Sequence, residues 1–416
     1  MKRARVRRTR TGWWARFSTR VLAHPHHYWI TALLVFVLSE LGASFVYNKL
    51  DLADLRARLF QLALEWPAQD TSPKNVRLVM IGDADYWQGT AAGRRPLDRD
   101  YLTQIVNQLA KAKPKTIALD IDVRLPDPSK NEIPAIYAQE TEHLIGAIKA
   151  AAADGIKVVL ATPIATIDGG YIRDNDIYQI NGLCPDGGVD ATVNCGYIAL
   201  PYDALLIPGQ LRLKSGKCLD SFGLAIARAQ DDSAVKEFSH CEGPEKRYTH
   251  FIQSREFAKD DLTWSAGKLL AAKFEDNAVN VFTGKAVIVG GNWSSFALGR
   301  GPEVDLHATP VGQIPGAMLH ANYSEAFLRG HTIAALPDWF LKGVAYFIGV
   351  VAAVLFAGLQ RVWQKGLGLL AVVAVLVSFE WIMLREWSVF FDIVLPVAAL
   401  GLHSIYSRLF EGWEAA

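Results

Sequence analysis

Carboxylates and imidazoles gather where this sequence leaves its apolar runs. The stretch 305–322, DLHATPVGQIPGAMLHAN, carries Asp305, His307, Thr309, His320 and Asn322 around a Thr-Pro and a Pro-Gly. Upstream, Asp83 and Asp85 follow the run VRLVMI at 76–81, and Asp120 and Asp122 close TIALDI at 116–121. Thr162 follows IKVVLA at 156–161, and Asn292 follows AVIV at 286–289. Two kinds of site suit these groups. One holds a divalent metal, with oxygen ligands favouring calcium or magnesium and His307 or His320 pulling toward zinc. The other is a hydrogen-bonding pocket for a small polar ligand. Against both stands a structural reading, in which the aspartates cap helices and turns and the histidines buttress the fold. Asp-x-His is a weak metal signal, and neither His-Glu-x-x-His nor Gly-x-Ser-x-Gly occurs, so no catalytic residue is assigned. Gly290-Gly291 lacks the Gly-x-Gly-x-x-Gly pattern of a phosphate cradle.

The elements that must position these groups follow from periodicity. Each apolar run above is short and rich in β-branched residues, as a buried strand requires. Between them, Leu102, Ile105, Val106 and Leu109 form a helical stripe with Asp98 as its N-cap, and Leu144, Ala147, Ile148 and Ala151 form a second. Later helices are expected after Asp220, which would cap Phe222 and Ile226, and over 264–274 and 318–328. Successive βαβ units predict an α/β domain with a mostly parallel sheet. Parallel sheets bind ligands beyond the carboxyl ends of their strands. That rule expects Asp83, Asp120, Asp305, His307 and His320 to converge on one crevice.

A loop-rich segment at about 168–250 interrupts this order, with much Gly, Asp, Asn and Tyr, and it holds all four cysteines. None has the Cys-x-x-Cys spacing of common zinc sites. An even number in one exported segment argues for two disulfides among Cys184, Cys195, Cys218 and Cys241. Three connectivities are open, and proximity in sequence favours Cys184–Cys195 with Cys218–Cys241.

The chain is 51% hydrophobic with a formal net charge of +1, yet its first twenty residues carry eight basic side chains, Lys2 through Arg20, and no acid. A nucleic-acid arm is the competing reading. The apolar run that follows makes this the positive-inside signal of a membrane protein, so no nucleic acid is expected as partner. Residues 28–47 are long enough to cross a hydrocarbon core of roughly 30 Å. A cleaved signal peptide is the alternative, but the apolar stretch exceeds a usual h-region, so a retained anchor is expected. Three further spans are expected at 339–360, 366 to about 384, and 390–406. Arg361 and Lys365 mark a cytoplasmic connection, Arg385-Glu386 a polar turn outside, and Arg408 a return inside. Both termini are then cytoplasmic. The expected organisation is a basic segment at 1–27, a first span at 28–47, an exported α/β domain at 48–338, a three-helix block at 339–406 and a short tail at 407–416. Inside the spans, Glu40, Glu380 and His403 are candidates for transmembrane coupling. A charge at the bilayer centre costs at least about 2.5 kcal/mol, which Glu380 would escape beside Arg385 and the interface. Neutral packing groups are the competing explanation.

In this order the pieces resemble a known family. They are Asp54-Leu55-Arg56, Val79-Met80-Ile81-Gly82-Asp83, Arg95-Pro96-Leu97, Ile117-Ala118-Leu119-Asp120-Ile121, Pro126-Asp127-Pro128 and Ser221-Phe222 through Ala227. The most specific are Gly284-Lys285-Ala286-Val287-Ile288-Val289-Gly290, then Asp305-Leu306-His307-Ala308-Thr309-Pro310 and Pro315-Gly316-Ala317-Met318-Leu319-His320-Ala321. Over about residues 50–338 the chain resembles the CHASE2 extracellular sensory domain of bacterial signalling proteins. The resemblance implies a periplasmic input domain with one span before it and three after, linked to a cytoplasmic kinase or nucleotide-cyclase output. It carries over no catalytic or ligand residue. This chain departs from the pattern in its cysteine-bearing insertion and in stopping where an output domain should begin. The expectation is a multi-pass inner-membrane sensor or sensor subunit, without cofactor unless a divalent metal binds. It would sit in the lipid bilayer as a homo-oligomer or hetero-complex and signal to a separate effector. The alternatives are a structural subunit of a membrane complex and a metal-dependent periplasmic hydrolase.

Overall fold

The structure is a computed structural model. It describes most of residues 72–335, the stretches 362–387 and 389–390, and scattered positions elsewhere; within the first range, 123–135 and 273–280 are among the stretches excepted. The chain divides into two units, Glu65–Ala334 and a second made of Met1–Leu64 with Ala335–Ala416.

In the Glu65–Ala334 unit the apolar runs become strands at the expected places: β1 (Val76–Ile81), β2 (Thr116–Asp120) and β3 (Lys157–Thr162). A hairpin, β4 (Ile164–Ile167) and β5 (Gly170–Arg173), precedes β6 (Val193–Tyr197). A second hairpin, β7 (Gln210–Arg212) and β8 (Cys218–Asp220), precedes β9 (Arg247–Thr249), β10 (Thr263–Ser265) and β11 (Ala286–Gly291). Two hairpins follow, β12 (Ser294–Phe296) with β13 (Arg300–Glu303) and β14 (Leu306–Thr309) with β15 (Gly312–Pro315), before β16 (Thr332–Ala335). The central sheet has the order β10-β1-β11-β2-β3-β6, and every pairing in it is parallel. The latest strand in sequence, β11, thus lies between the first two.

Helices cover both faces, as buried parallel strands require. They are α1 (Asp83–Tyr86), α2 (Arg99–Lys111), α3 (Tyr137–Ala153), α4 (Phe222–Gln230), α5 (Ala266–Ala271) and α6 (Gly316–Arg329). Strand alternation sorts the core into two layers. Val79, Ile81, Leu119, Leu160 and Val289 pack with α2, α3 and α5. Leu78, Met80, Ala118, Ala161 and Ile288 pack with α4 and α6, whose contributions include Ala225, Ala229, Ala317 and Ala321. Burying a large aliphatic side chain stabilises by about 1.5–3 kcal/mol. The small residues of the second layer instead let α4 and α6 lie close to the sheet.

Several expectations need correction. The loop-rich 168–250 stretch is no mere appendage, because it supplies β6 to the central sheet. Its NCG centre hides the strand pattern. Ser221, not Asp220, caps α4 by accepting the Leu224 N–H at 3.2 Å. Asp220 belongs to β8, where it pairs with Arg228 at 2.8 Å. The helix expected over 264–274 begins later as α5, because Trp264 is drawn into β10 at the sheet edge. Asp98 does cap α2, accepting from the N–H groups of Asp100 and Tyr101. Cys184 lies at disulfide distance from Cys195 and Cys218 from Cys241, each pair with Cα atoms 5.8 Å apart, which matches the pairing that proximity favoured.

In the other unit, α7 (Val362–Trp387) contains one helix long and apolar enough to cross a membrane, Gly366–Trp387. At about 1.5 Å per residue it matches a hydrocarbon core of roughly 30 Å. Arg385 and Glu386 belong to this helix rather than to a turn after it. Arg385 stands over the Trp381 ring at 5.1 Å and lies 3.9 Å from Glu386. Glu380 is buried at 5% exposure. Glu40, His403 and the other three expected spans lie outside the described residues or are described only at scattered positions.

Candidate functional site

The carboxyl edge of the sheet collects the groups singled out in the sequence, but unequally. Asp120 ends β2, level with Gly290 of β11 in the parallel register. By alternation both lie on the face that carries α6. Gly290 has no side chain, and a Cβ there would collide with Ala317 of α6 and come within 3.8 Å of the Asp120 Cβ. The bare glycine therefore lets the first turn of α6 settle beside Asp120.

Asp305 approaches from the turn before β14. Its backbone is left-handed, at φ 59°, a conformation aspartate tolerates better than most residues. Its carbonyl accepts the Gly316 N–H at 2.9 Å, closing the start of α6. Its carboxylate rests against Gly316 where any Cβ would collide with it, so glycine is needed here too. Asp305 Oδ1 lies 2.8 Å from His307 Nε2. One turn into α6, His320 is 3% exposed, edge-on to the Phe222 ring at 5.1 Å, and its Nδ1 has no hydrogen-bond partner.

Electrostatics link these side chains through Asp305. Burial, reinforced by the Asp305 charge, pushes the Asp120 carboxyl up to about 8. Among the described residues none donates a hydrogen bond to it, so nothing offsets the desolvation. Asp120 nevertheless keeps partial exposure. Burial pushes His320 down to about 4; Asp305 opposes that shift and His307 adds to it. Near neutrality the cluster thus holds a protonated Asp120 and a neutral His320.

The remaining candidates point elsewhere. Asp83 accepts from the Ser294 backbone N–H at 2.6 Å and its hydroxyl at 2.9 Å, fixing the start of β12. Asp85 accepts from Gly82 N–H at 3.1 Å and Gly267 N–H at 2.8 Å, tying α1 to α5. Thr309 donates to the Gly312 carbonyl within its hairpin, and Asn322 donates to Met318 one turn back on α6. Thr162 accepts from the buried Arg173 guanidinium at 3.2 Å. Asn292 adds another unmet group at this edge, its Oδ1 being buried without a hydrogen bond. Asp120, Asp305, His307 and His320 are therefore the set brought together. Among the described residues no three histidine, cysteine or carboxylate side chains are arranged to hold a metal ion. Sequence reading named Gly290 and Gly316 but not their packing roles, whose signals were a Gly-Gly closing a strand and a Pro-Gly opening a helix.

A family model described as CHASE2 domain matches residues 30–359. No curated protein and no solved structure matches the chain.

Proposed function

The chain belongs to the CHASE2 family, an extracellular sensory family, and on that premise we propose that it is the input element of a membrane sensor. Its α/β domain faces outward, four spans hold it in the membrane, and a separate effector reads the signal. One observation supports the site within this reading. His320 is buried with no partner for its Nδ1, Asp120 is half-buried with no donor among the described residues, and both feel the Asp305 charge where β2 meets α6. Perturbed titratable groups left unsatisfied at a sheet's carboxyl edge are what a binding site contains and a packing core avoids. A stimulus that prefers one arrangement of this cluster shifts the domain between states; equal affinity for both would shift nothing.

The test is purification of the full chain from its native membrane with whatever accompanies it. The sensor reading expects an effector in the preparation whose output changes in Asp305→Asn, with the assembly still intact. An assembly of fixed composition whose output ignores that substitution and every change of the outer medium would overturn the reading.

A further inference from the structure

We infer, resting on the sensor reading above, that the stimulus taken by this site is the proton: alkalinisation strips Asp120 of its proton beside Asp305, and repulsion between the two carboxylates moves the Asp305 turn and the first turn of α6 off the sheet. The geometry carries the argument. Asp120 reaches the cluster from β2, Asp305 and His307 from the β14 hairpin and its preceding turn, and His320 from α6, so three separate elements meet in one charge-sensitive group. Asp120 is partly accessible, so its proton can pass to water, and no other reactant is needed. No hydrogen bond from a described residue stabilises its ionised form. Ionisation therefore places a second negative charge near Asp305 with no compensating partner among the described residues.

The other charged groups that described elements pack around α6 are engaged, Lys236 of the 3-10 helix Asp232–Phe238 among them. Glu325 accepts backbone N–H groups at the start of β1, and Arg329 donates to Ser72. Arg77 of β1 donates to Pro73 and Val76 carbonyls. Arg228 of α4 pairs with Asp220 and Asp232, and Arg247 of β9 stands over Phe238 and donates to Thr332. Strands β11 and β15 bring no charge. Among the described residues no free cation faces a newly charged Asp120, so relief of the repulsion comes from movement. The mechanical link is short, since the Asp305 carbonyl holds the Gly316 N–H and the Asp305 carboxylate packs on the same glycine. Displacing Asp305 releases the amino end of α6. His320 bounds the device on the acid side, because it stays neutral until pH falls to about 4.

The test is hydrogen–deuterium exchange of the full chain in lipid nanodiscs between pH 6.5 and 9, corrected for intrinsic exchange rates. Peptides covering 305–322 are expected to lose protection at least tenfold, with a midpoint near 8. Asp120→Asn should flatten the transition, and Asp305→Asn should move it to lower pH by removing the like charge. Infrared difference spectra of the unsubstituted protein give an arm that does not depend on a variant folding. They should show a protonated-carboxyl band lost over the same range. A flat exchange profile, a transition that survives Asp120→Asn, or a missing carboxyl band each overturns the proton inference. None of these touches the sensor reading, which falls only on the effector output described above.

Discussion

Two carboxylates, one buried and one half-buried, mark the opposite edges of the sheet, and α6 connects them. At the amino edge Glu325 is 1% exposed and accepts from the backbone N–H groups of Lys74, Asn75 and Val76 and from the Asn75 side chain, at 2.9 to 3.2 Å. Four donors replace the water it has lost, and in return it fixes where β1 begins. At the carboxyl edge Asp120 has no such donors among the described residues and answers burial by holding its proton. The same side-chain chemistry is a clamp in one place and a titrating group in the other. The difference lies in whether backbone amides are aimed at the carboxylate. At the carboxyl edge Asn292 Oδ1 and His320 Nδ1 are further buried groups without a hydrogen bond.

Removing the clamp should have the largest effect. Glu325→Ala leaves three backbone N–H groups without their acceptor and is expected to cost about 3–4 kcal/mol in chemical unfolding of the full chain. A cost below about 1 kcal/mol, the range of ordinary surface changes, would erase the contrast between the edges. Next comes Asp120→Asn, with the opposite sign. Because the folded state raises this carboxyl from 3.8 to about 8, stability is fully present below the lower value and is lost as pH rises through the upper. The substitution should therefore come closest to the parent near pH 4 and exceed it increasingly as pH rises to about 8, with no further gain above that, read from unfolding midpoints across the range. Smallest is His320→Leu. Burial lowers this imidazole from 6.5 to about 4, so stability is present above 6.5 and is lost as pH falls through 4. The variant should gain on the parent as pH falls from 6.5 to about 4 and show no such gain at pH 8. An acid limb that persists in His320→Leu would assign that sensitivity to another group.

Much of this arrangement was legible in the residues. β1, β2, β3 and the core of β11 read plainly, because strands buried on both faces are continuous apolar runs. The α2 cap at Asp98 followed from local chemistry alone. β6 and β10 were hidden because VNCGY and TWS owe their strand state to a neighbour's edge rather than to their own pattern. The strand-end rule brought Asp120 and the 305–322 stretch to one edge, yet it could not tell which aspartates were already occupied. Asp83 and Asp85 look like Asp120 in the sequence. Only the fold reveals that amides at Ser294, Gly82 and Gly267 reach the first two and that, among the described residues, none reaches the third. His307 and His320, likewise, differ only by packing. One lies at a hairpin beside its aspartate, and the other is buried against Phe222.

The place of β11 also has a consequence in time. A chain is made from its amino end, and domains generally fold as units. Strands β1, β2, β3 and β6 and both cysteine pairs are all synthesised before residue 286. Yet β1 and β2 have no direct pairing in the finished sheet, because β11 separates them. Until β11 emerges, two apolar strand edges wait for a partner that is not yet made. The residues of both cysteine pairs are therefore present in the growing chain before the strand that joins β1 to β2.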